Sequence, residues 1–301
     1  MRKIHLALFC ITPAFAYAEE APKPSSSLGE RDALLKVEDF SPSSGRLSVN
    51  YGFTYNAQRK DGYIPNILYV PGIDGSTVII PGLRATADRS DSILGTVGLR
   101  YNVASLFNVS AQLSGGYRYE RLTSPYLGTR EQNSFDLDAL SLGADMRLTP
   151  ATSRLYANGF VSVGAIEKSA DRFSYGKSIT GGVSAHFTAD PLIFSTTIAY
   201  SKFLERSGSK GRFEPGDVLS MTPSVGFAVN PDINLSWGMT FAFRDGDKYE
   251  GRSKGDWNSA STLNFGVGYR LDENRLLNIS ARAGVGGNSA MQISTSMTQR
   301  F

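Results

Sequence analysis

From residue 46 to the last residue, the chain is written in segments that alternate apolar and polar positions. In the segment 233–245, Ile233, Leu235, Trp237, Met239, Phe241 and Phe243 fall on one face. Asn234, Ser236, Gly238, Thr240, Ala242 and Arg244 fall on the other. The segment 256–271 sets Leu263, Phe265, Val267 and Tyr269 against Thr262, Asn264, Gly266, Gly268 and Arg270. A period of two is the signature of a strand, whose successive side chains point to opposite faces. Twelve such segments can be marked: 46–58, 91–103, 108–121, 134–148, 154–166, 177–188, 192–204, 217–229, 233–245, 256–271, 275–286 and 290–301. Each is about as long as a strand needs to cross a hydrocarbon layer at a tilt. The eighth carries Pro223, which lacks a ladder donor and predicts a bulge. In the fifth, the parity is ambiguous.

The connections alternate in length. Residues 104–107, 150–153, 190–191, 230–232 and 272–274 are short and rich in turn formers. Residues 59–90, 122–133, 167–176, 205–216 and 246–255 are long. An even number of strands, with short turns at one end and long loops at the other, predicts an all-β fold. It would be a transmembrane up-and-down antiparallel β-barrel of about twelve strands, apolar toward lipid and polar or small toward the lumen.

The two ends fit that architecture. The last strand places Met291, Ile293, Thr295, Met297, Gln299 and Phe301 on one face and closes on an aromatic residue. In this it resembles bacterial outer-membrane β-barrels as a class. That resemblance implies an outer-membrane location, contact with outer-membrane lipid and lipopolysaccharide, and Phe301 as an assembly signal read by the barrel assembly machinery. At the start, Arg2 and Lys3 precede an apolar stretch from Ile4 to Phe15 that is too short to span a bilayer. Ala16-Tyr17-Ala18 then offers a small-x-small site, so residues 1–18 read as a signal peptide cleaved before Glu19. Cys10 leaves with it, and Phe9 before it does not fit a lipoprotein site. The mature chain has no cysteine, as suits export through an oxidising compartment. Residues 19–45 form a periplasmic linker and a short helix. Ser27 and Glu30 have capping-box spacing, and Leu34, Leu35 and Val37 belong to an apolar stripe. Residues 46–301 form the barrel.

Composition narrows the function more than the fold. Of 31 Lys+Arg, Arg2 and Lys3 go with the leader, leaving 29 against 28 Asp+Glu; bulk nucleic-acid binding is not expected. After the leader there is no run of about 20 apolar residues, as a membrane helix requires. The 31 glycines and 11% aromatics suit a barrel with aromatic girdles.

Candidate chemistry is concentrated in a repeated strand ending. Five descending strands close with a basic residue before a bulky one: Leu99-Arg100-Tyr101, Met146-Arg147-Leu148, Ala185-His186-Phe187, Tyr269-Arg270-Leu271 and Gln299-Arg300-Phe301. By alternation, Arg100, Arg147, His186, Arg270 and Arg300 face the lumen at the periplasmic mouth. Two readings stay open: an electropositive constriction that favours anions, or long cations snorkelling at an interface. Higher in the lumen, Arg118, Glu120, Asp145, Arg244 and Arg282 are expected to pair and stiffen the wall. The 59–90 connection, with Ile64, Ile67, Leu68, Tyr69, Val78, Ile79 and Ile80, is too apolar for a free surface loop. It could fold inward, make an extended hairpin, or touch a partner. An enzyme is not expected. The mature chain has one histidine, His186, with no evident nucleophile or carboxylate pattern beside it. No metal spacing, phosphate loop or GxSxG is present, and no cofactor is expected.

A narrower resemblance runs from a short helix through GRLSVNYGFTYNAQRKDGYIP and an apolar loop to DSILGTVGLRYNVASLFNVSAQLSGGYRYER, roughly residues 28–121. It is similar to the first third of the outer-membrane exporters of functional-amyloid subunits and to their barrel relatives, transporters found with aromatic-degradation genes. The resemblance implies a pore gated by an N-terminal helical plug, with Leu34, Leu35 and Val37 in the plug and Arg100 at the mouth. This chain lacks the long coiled-coil region that precedes the plug in those exporters. Three functions follow as expectations: a channel passing small solutes, anionic ones among them; a gated pore exporting unfolded amyloid-type or other low-complexity polypeptides; or a surface adhesive or structural barrel.

Overall fold

A computed structural model describes residues 47–59, 66–71, 77–82, 89–104, 106–124, 128–150, 155–169, 172–208, 211–254, 257–285 and 289–301. The predicted leader, linker and helix, with Leu34, Leu35 and Val37, lie outside the described residues. Twelve strands form the wall: β1 (Leu47–Arg59), β2 (Arg89–Ala104), β3 (Phe107–Ser124), β4 (Gly128–Arg147), β5 (Leu155–Ser169), β6 (Ser178–Ala189), β7 (Leu192–Phe203), β8 (Val218–Ala228), β9 (Ile233–Arg244), β10 (Asn258–Arg270), β11 (Arg275–Val285) and β12 (Ser289–Arg300). Each pairs antiparallel with its neighbours in sequence. β1 and β12 pair from Ser48↔Arg300 to Arg59↔Ser289, so the sheet closes on itself. The Phe301 N–H adds a last bond to the Leu47 carbonyl at 2.9 Å.

The alternation decides which face is which. Phe53 is 67% exposed and its neighbour Thr54 only 4%. The same inversion recurs around the wall: Leu113, Ile198, Trp237, Phe265 and Ile293 are exposed, while Asn50, Thr96, Ser114, Thr180 and Ser294 are buried. In water, an outer face like this would be an unbroken apolar patch; against lipid it is the required solvent match. Inside, hydroxyls pair across neighbouring strands. Thr54 donates to Ser294 at 3.1 Å, Thr180 and Ser201 lie 2.8 Å apart, and Thr222 and Thr240 3.0 Å. A tight periplasmic turn joins β10 to β11: Arg275 and the Asn274 N–H both bond Asp272, which holds that carboxyl below the usual aspartate range.

The structure departs from the expected elements in two places, 122–133 and Pro223, and resolves two that the sequence left open. β3 and β4 stay paired up to Ser124↔Gly128, so the predicted long connection 122–133 is mostly strand. β5 carries a bulge: Ser141↔Gly164 is followed by Leu140↔Ile166, skipping Ala165. The extra residue reverses the alternation, so Asn158 is buried below it and Glu167 above it. This explains why no single parity fits that segment. Pro223 makes no bulge: β8 and β9 keep one register through Met221↔Phe241 and Ser224↔Gly238, the ladder between these two strands lapsing only at Thr222 and Pro223, while Pro223 stays paired with Thr196 on β7. Finally, the apolar connection after β1 contains an antiparallel hairpin, Asn66–Pro71 against Thr77–Gly82.

Deleting Phe301 removes the last hydrogen bond of the closing seam and its outward aromatic ring. The folded, heat-modifiable form in membrane fractions should fall to a minor share of wild type; an unchanged share would show that this residue is dispensable for closure.

Candidate functional site

At the periplasmic mouth the predicted cations do not form a uniform ring. Arg100 on β2 is 4% exposed, and its Nη2 donates to Asp145 Oδ2 at 2.6 Å. Asn108 Nδ2 donates to the same oxygen at 2.8 Å. β3 places Asn108 directly opposite Asp145 on β4, which brings the carboxylate to the level of Arg100. Asp145 therefore belongs to the mouth. This arrangement satisfies one carboxylate oxygen twice in a low-dielectric wall, as a buried ion pair needs.

Arg147 and His186 are brought together by a residue the sequence did not single out. Tyr156, on β5, lies opposite His186 on β6. Their ring centroids are 6.0 Å apart with planes tilted 47°. The Arg147 guanidinium sits 4.9 Å from the Tyr156 ring centroid, and its Nη2 reaches the Pro150 carbonyl at 3.4 Å. Arg270 and Arg300 close β10 and β12 with outward Tyr269 and Phe301 beside them, so alternation turns both inward.

Further up, Arg282 stands in register with Asn264 and Gln292 on its neighbours. Asn264 donates to Thr240 at 2.8 Å. Arg118 meets Asp138 at 3.5 Å, and Glu120 is buried on the upper part of β3. The inner wall is unevenly exposed. Asn50, Thr54, Ser92, Thr96, Gln292, Ser294 and Ser296, on β12, β1 and β2, are buried. Asn264, Asn278, Ser280 and Arg282, on β10 and β11, are only half-buried.

At the opposite mouth, two separate loops join. Strands Arg206–Gly208, Gly211–Glu214, Asp247–Tyr249 and Arg252–Lys254 form one small sheet, linked by Phe213↔Tyr249 and Glu214↔Lys248. Phe203, Val218 and Ala242 make a small buried apolar cluster at the roots of these loops. Two ion pairs flank it. Glu167 takes Arg206 at 2.9 Å and the Ser178 hydroxyl at 2.5 Å. Asp247 takes Arg244 at 2.5 Å and the Gly216 N–H at 2.9 Å. Arg244 thus serves this mouth. Burial pushes the Arg206 guanidinium below its usual range, against the opposing pull of Glu167. A Cβ at Gly164 would run into the Glu167 carboxylate and the Ser178 hydroxyl, so a larger residue there would push this pair aside. Nothing in the local pattern marks Glu167 or Arg206: one follows the bulge and the other sits in a loop.

No family model and no curated protein matches the sequence. Among solved structures, an outer membrane channel from Pseudomonas putida F1 is similar at 12% identity and a TM-score of 0.62, covering 91% of this chain and 100% of that one. The translocator domain of autotransporter NalP from Neisseria meningitidis (11%, TM-score 0.49, 87% and 90%) and the NanC porin (9%, 0.48, 84% and 98%) are also found. The fold is that of bacterial outer-membrane β-barrel proteins.

Arg206→Met should leave Glu167 buried without its ion partner, a loss of about 3–5 kcal/mol for a buried pair. Protease should then cleave within 205–216 and 246–255 much faster than in wild type while the barrel keeps its heat-modifiable migration. Unchanged cleavage would show that the pair does not hold the loop sheet down.

Proposed function

We propose that this outer-membrane barrel is a non-enzymatic channel for small hydrophilic solutes, with a preference for anions imposed at the periplasmic mouth. The observation that carries the reading is the inner wall. Paired serine and threonine hydroxyls line it within a closed apolar shell, and cations gather at one end of it. A hydrated solute can exchange water for such hydroxyls at little cost. The mouth sets Arg100, Arg147, His186, Arg270 and Arg300 at the ends of neighbouring hairpins, and Asp145 offsets the first of them. Charge in a narrow low-dielectric pore is weakly screened, so an excess of one sign biases which ions enter. The joined loops and buried cluster at the far mouth favour small solutes over an extended polypeptide.

The segment before β1 is the proposed gate. Ser41 to Gly45 is five residues and reaches at most about 3.5 Å per residue, so residues 27–40 stay near the mouth where β1 starts. Leu34, Leu35 and Val37 would meet the inner wall, and Asp32, Glu38 and Asp39 the basic residues.

Three outcomes test it in planar bilayers. Changing Arg147, Arg270 and Arg300 to Glu should move the reversal potential in a salt gradient toward cations, whereas Asp145→Asn should move it toward anions by releasing the charge of Arg100. No movement in either would leave the cations as interfacial anchors. Deleting residues 19–40 should raise open probability. Salt well above 0.1 M, where the Debye length falls below about 10 Å, should partly mimic the deletion; equal conductance with and without the segment would remove the gate.

A further inference from the structure

Tyr156 occupies the inward-facing position closest to the turn between β4 and β5, on the strand that separates Arg147 from His186. The Arg147 guanidinium lies 4.9 Å from its ring centroid, within the range of a cation–π contact. His186, directly across the ladder, places its ring centroid 6.0 Å away. The Pro150 carbonyl holds the guanidinium from the turn side at 3.4 Å. A free arginine side chain has many rotamers and would spread its charge over several ångströms of the mouth. Here one aromatic ring and one carbonyl restrict it.

We infer that Tyr156 is a positioning residue for anion selection: its ring gathers Arg147 and His186 into one cluster facing the lumen, with guanidinium and imidazole donors on either side. This rests on the anion-channel reading and adds to it the residue that focuses the charge. The ring's electron-rich face attracts the guanidinium and eases the approach of a second basic group. Arg100 contributes differently, since Asp145 neutralises it. The focus therefore lies on the β4–β6 sector and not evenly around the mouth.

The test is the chloride-to-potassium permeability ratio of the full-length protein, together with the acetate-to-potassium ratio, for wild type, Tyr156→Phe and Tyr156→Leu. The phenylalanine variant keeps the ring and should keep both ratios. The leucine variant fills much of the same space without a π face and should lower both by about threefold, the scale of one exposed cation–π contact. Single-channel conductance for the two variants should be similar, because pore width is little changed. If Tyr156→Leu does not insert, Tyr156→Met provides the ring-free variant. Wild-type ratios kept by the ring-free variant overturn the positioning role alone, as does an equal loss in Tyr156→Phe, which would assign the effect to the hydroxyl. A wild-type channel with no anion preference overturns the underlying reading and this inference with it, and is recognised by its own ratio before any variant is made.

Discussion

Everything in this molecule depends on closing a sheet in a medium that offers no hydrogen bonds. In hydrocarbon, each unpaired backbone N–H or carbonyl costs several kcal/mol, so an open strand edge cannot persist there. The ladder between β1 and β12 removes both edges at once. Closure also fixes the rest. With the wall continuous, every residue must face either lipid or lumen, and the alternation along each strand becomes a division between two solvents. A register slip of one residue would exchange those faces along a whole strand.

Closure creates a second problem, which is what to do with charge on the inner face. The structure answers with pairs that join distant parts of the chain. Arg100 and Asp145 connect β2 to β4 through Asn108 on the strand between them. Arg206 and Glu167 connect a loop after β7 to the top of β5, and Asp247 ties the loop after β9 to Arg244 and to Gly216. Each carboxylate has at least two donor or ion-pair contacts. A buried ion pair with only one contact seldom repays its desolvation. Extra donors from a neighbouring strand or backbone change that balance. The wall therefore supplies part of the stabilisation of its own inner charges.

The same logic separates what could be read in the sequence from what could not. A period of two over a dozen residues is a local property, and so the twelve strands and the short turns were legible. The terminal strand ending in Phe301 was legible for the same reason. The inward direction of Arg100 and Arg147 also follows from parity alone. Partners do not. Asp145 stands opposite Asn108 because of a register set by the β3–β4 hairpin, which no local pattern encodes. Tyr156 was hidden by the bulge at Ala165: with two parities in one segment, neither looked convincing. Glu167, beyond that bulge, had its direction reversed. The hairpin 66–71/77–82 was one of three possibilities for an apolar loop, and the sequence offered no means to choose among them.

The uneven inner wall gives the fold a direction of its own. On β12, β1 and β2 the polar side chains are deeply buried, while those on β10 and β11 remain half-buried. At the outer mouth the joined loops root on β7, β8 and β9, where Phe203, Val218 and Ala242 pack together. A circular barrel with equal lining would have its widest path along the axis. Buried inward side chains occur on β1 to β9 and on β12, whereas those of β10 and β11 stay half-exposed. On β11, Arg282 lies between Asn264 and Gln292 in the ladder. An inner wall exposed unevenly in this way offers a hydrated solute more hydrogen-bonding surface on one side than on the other.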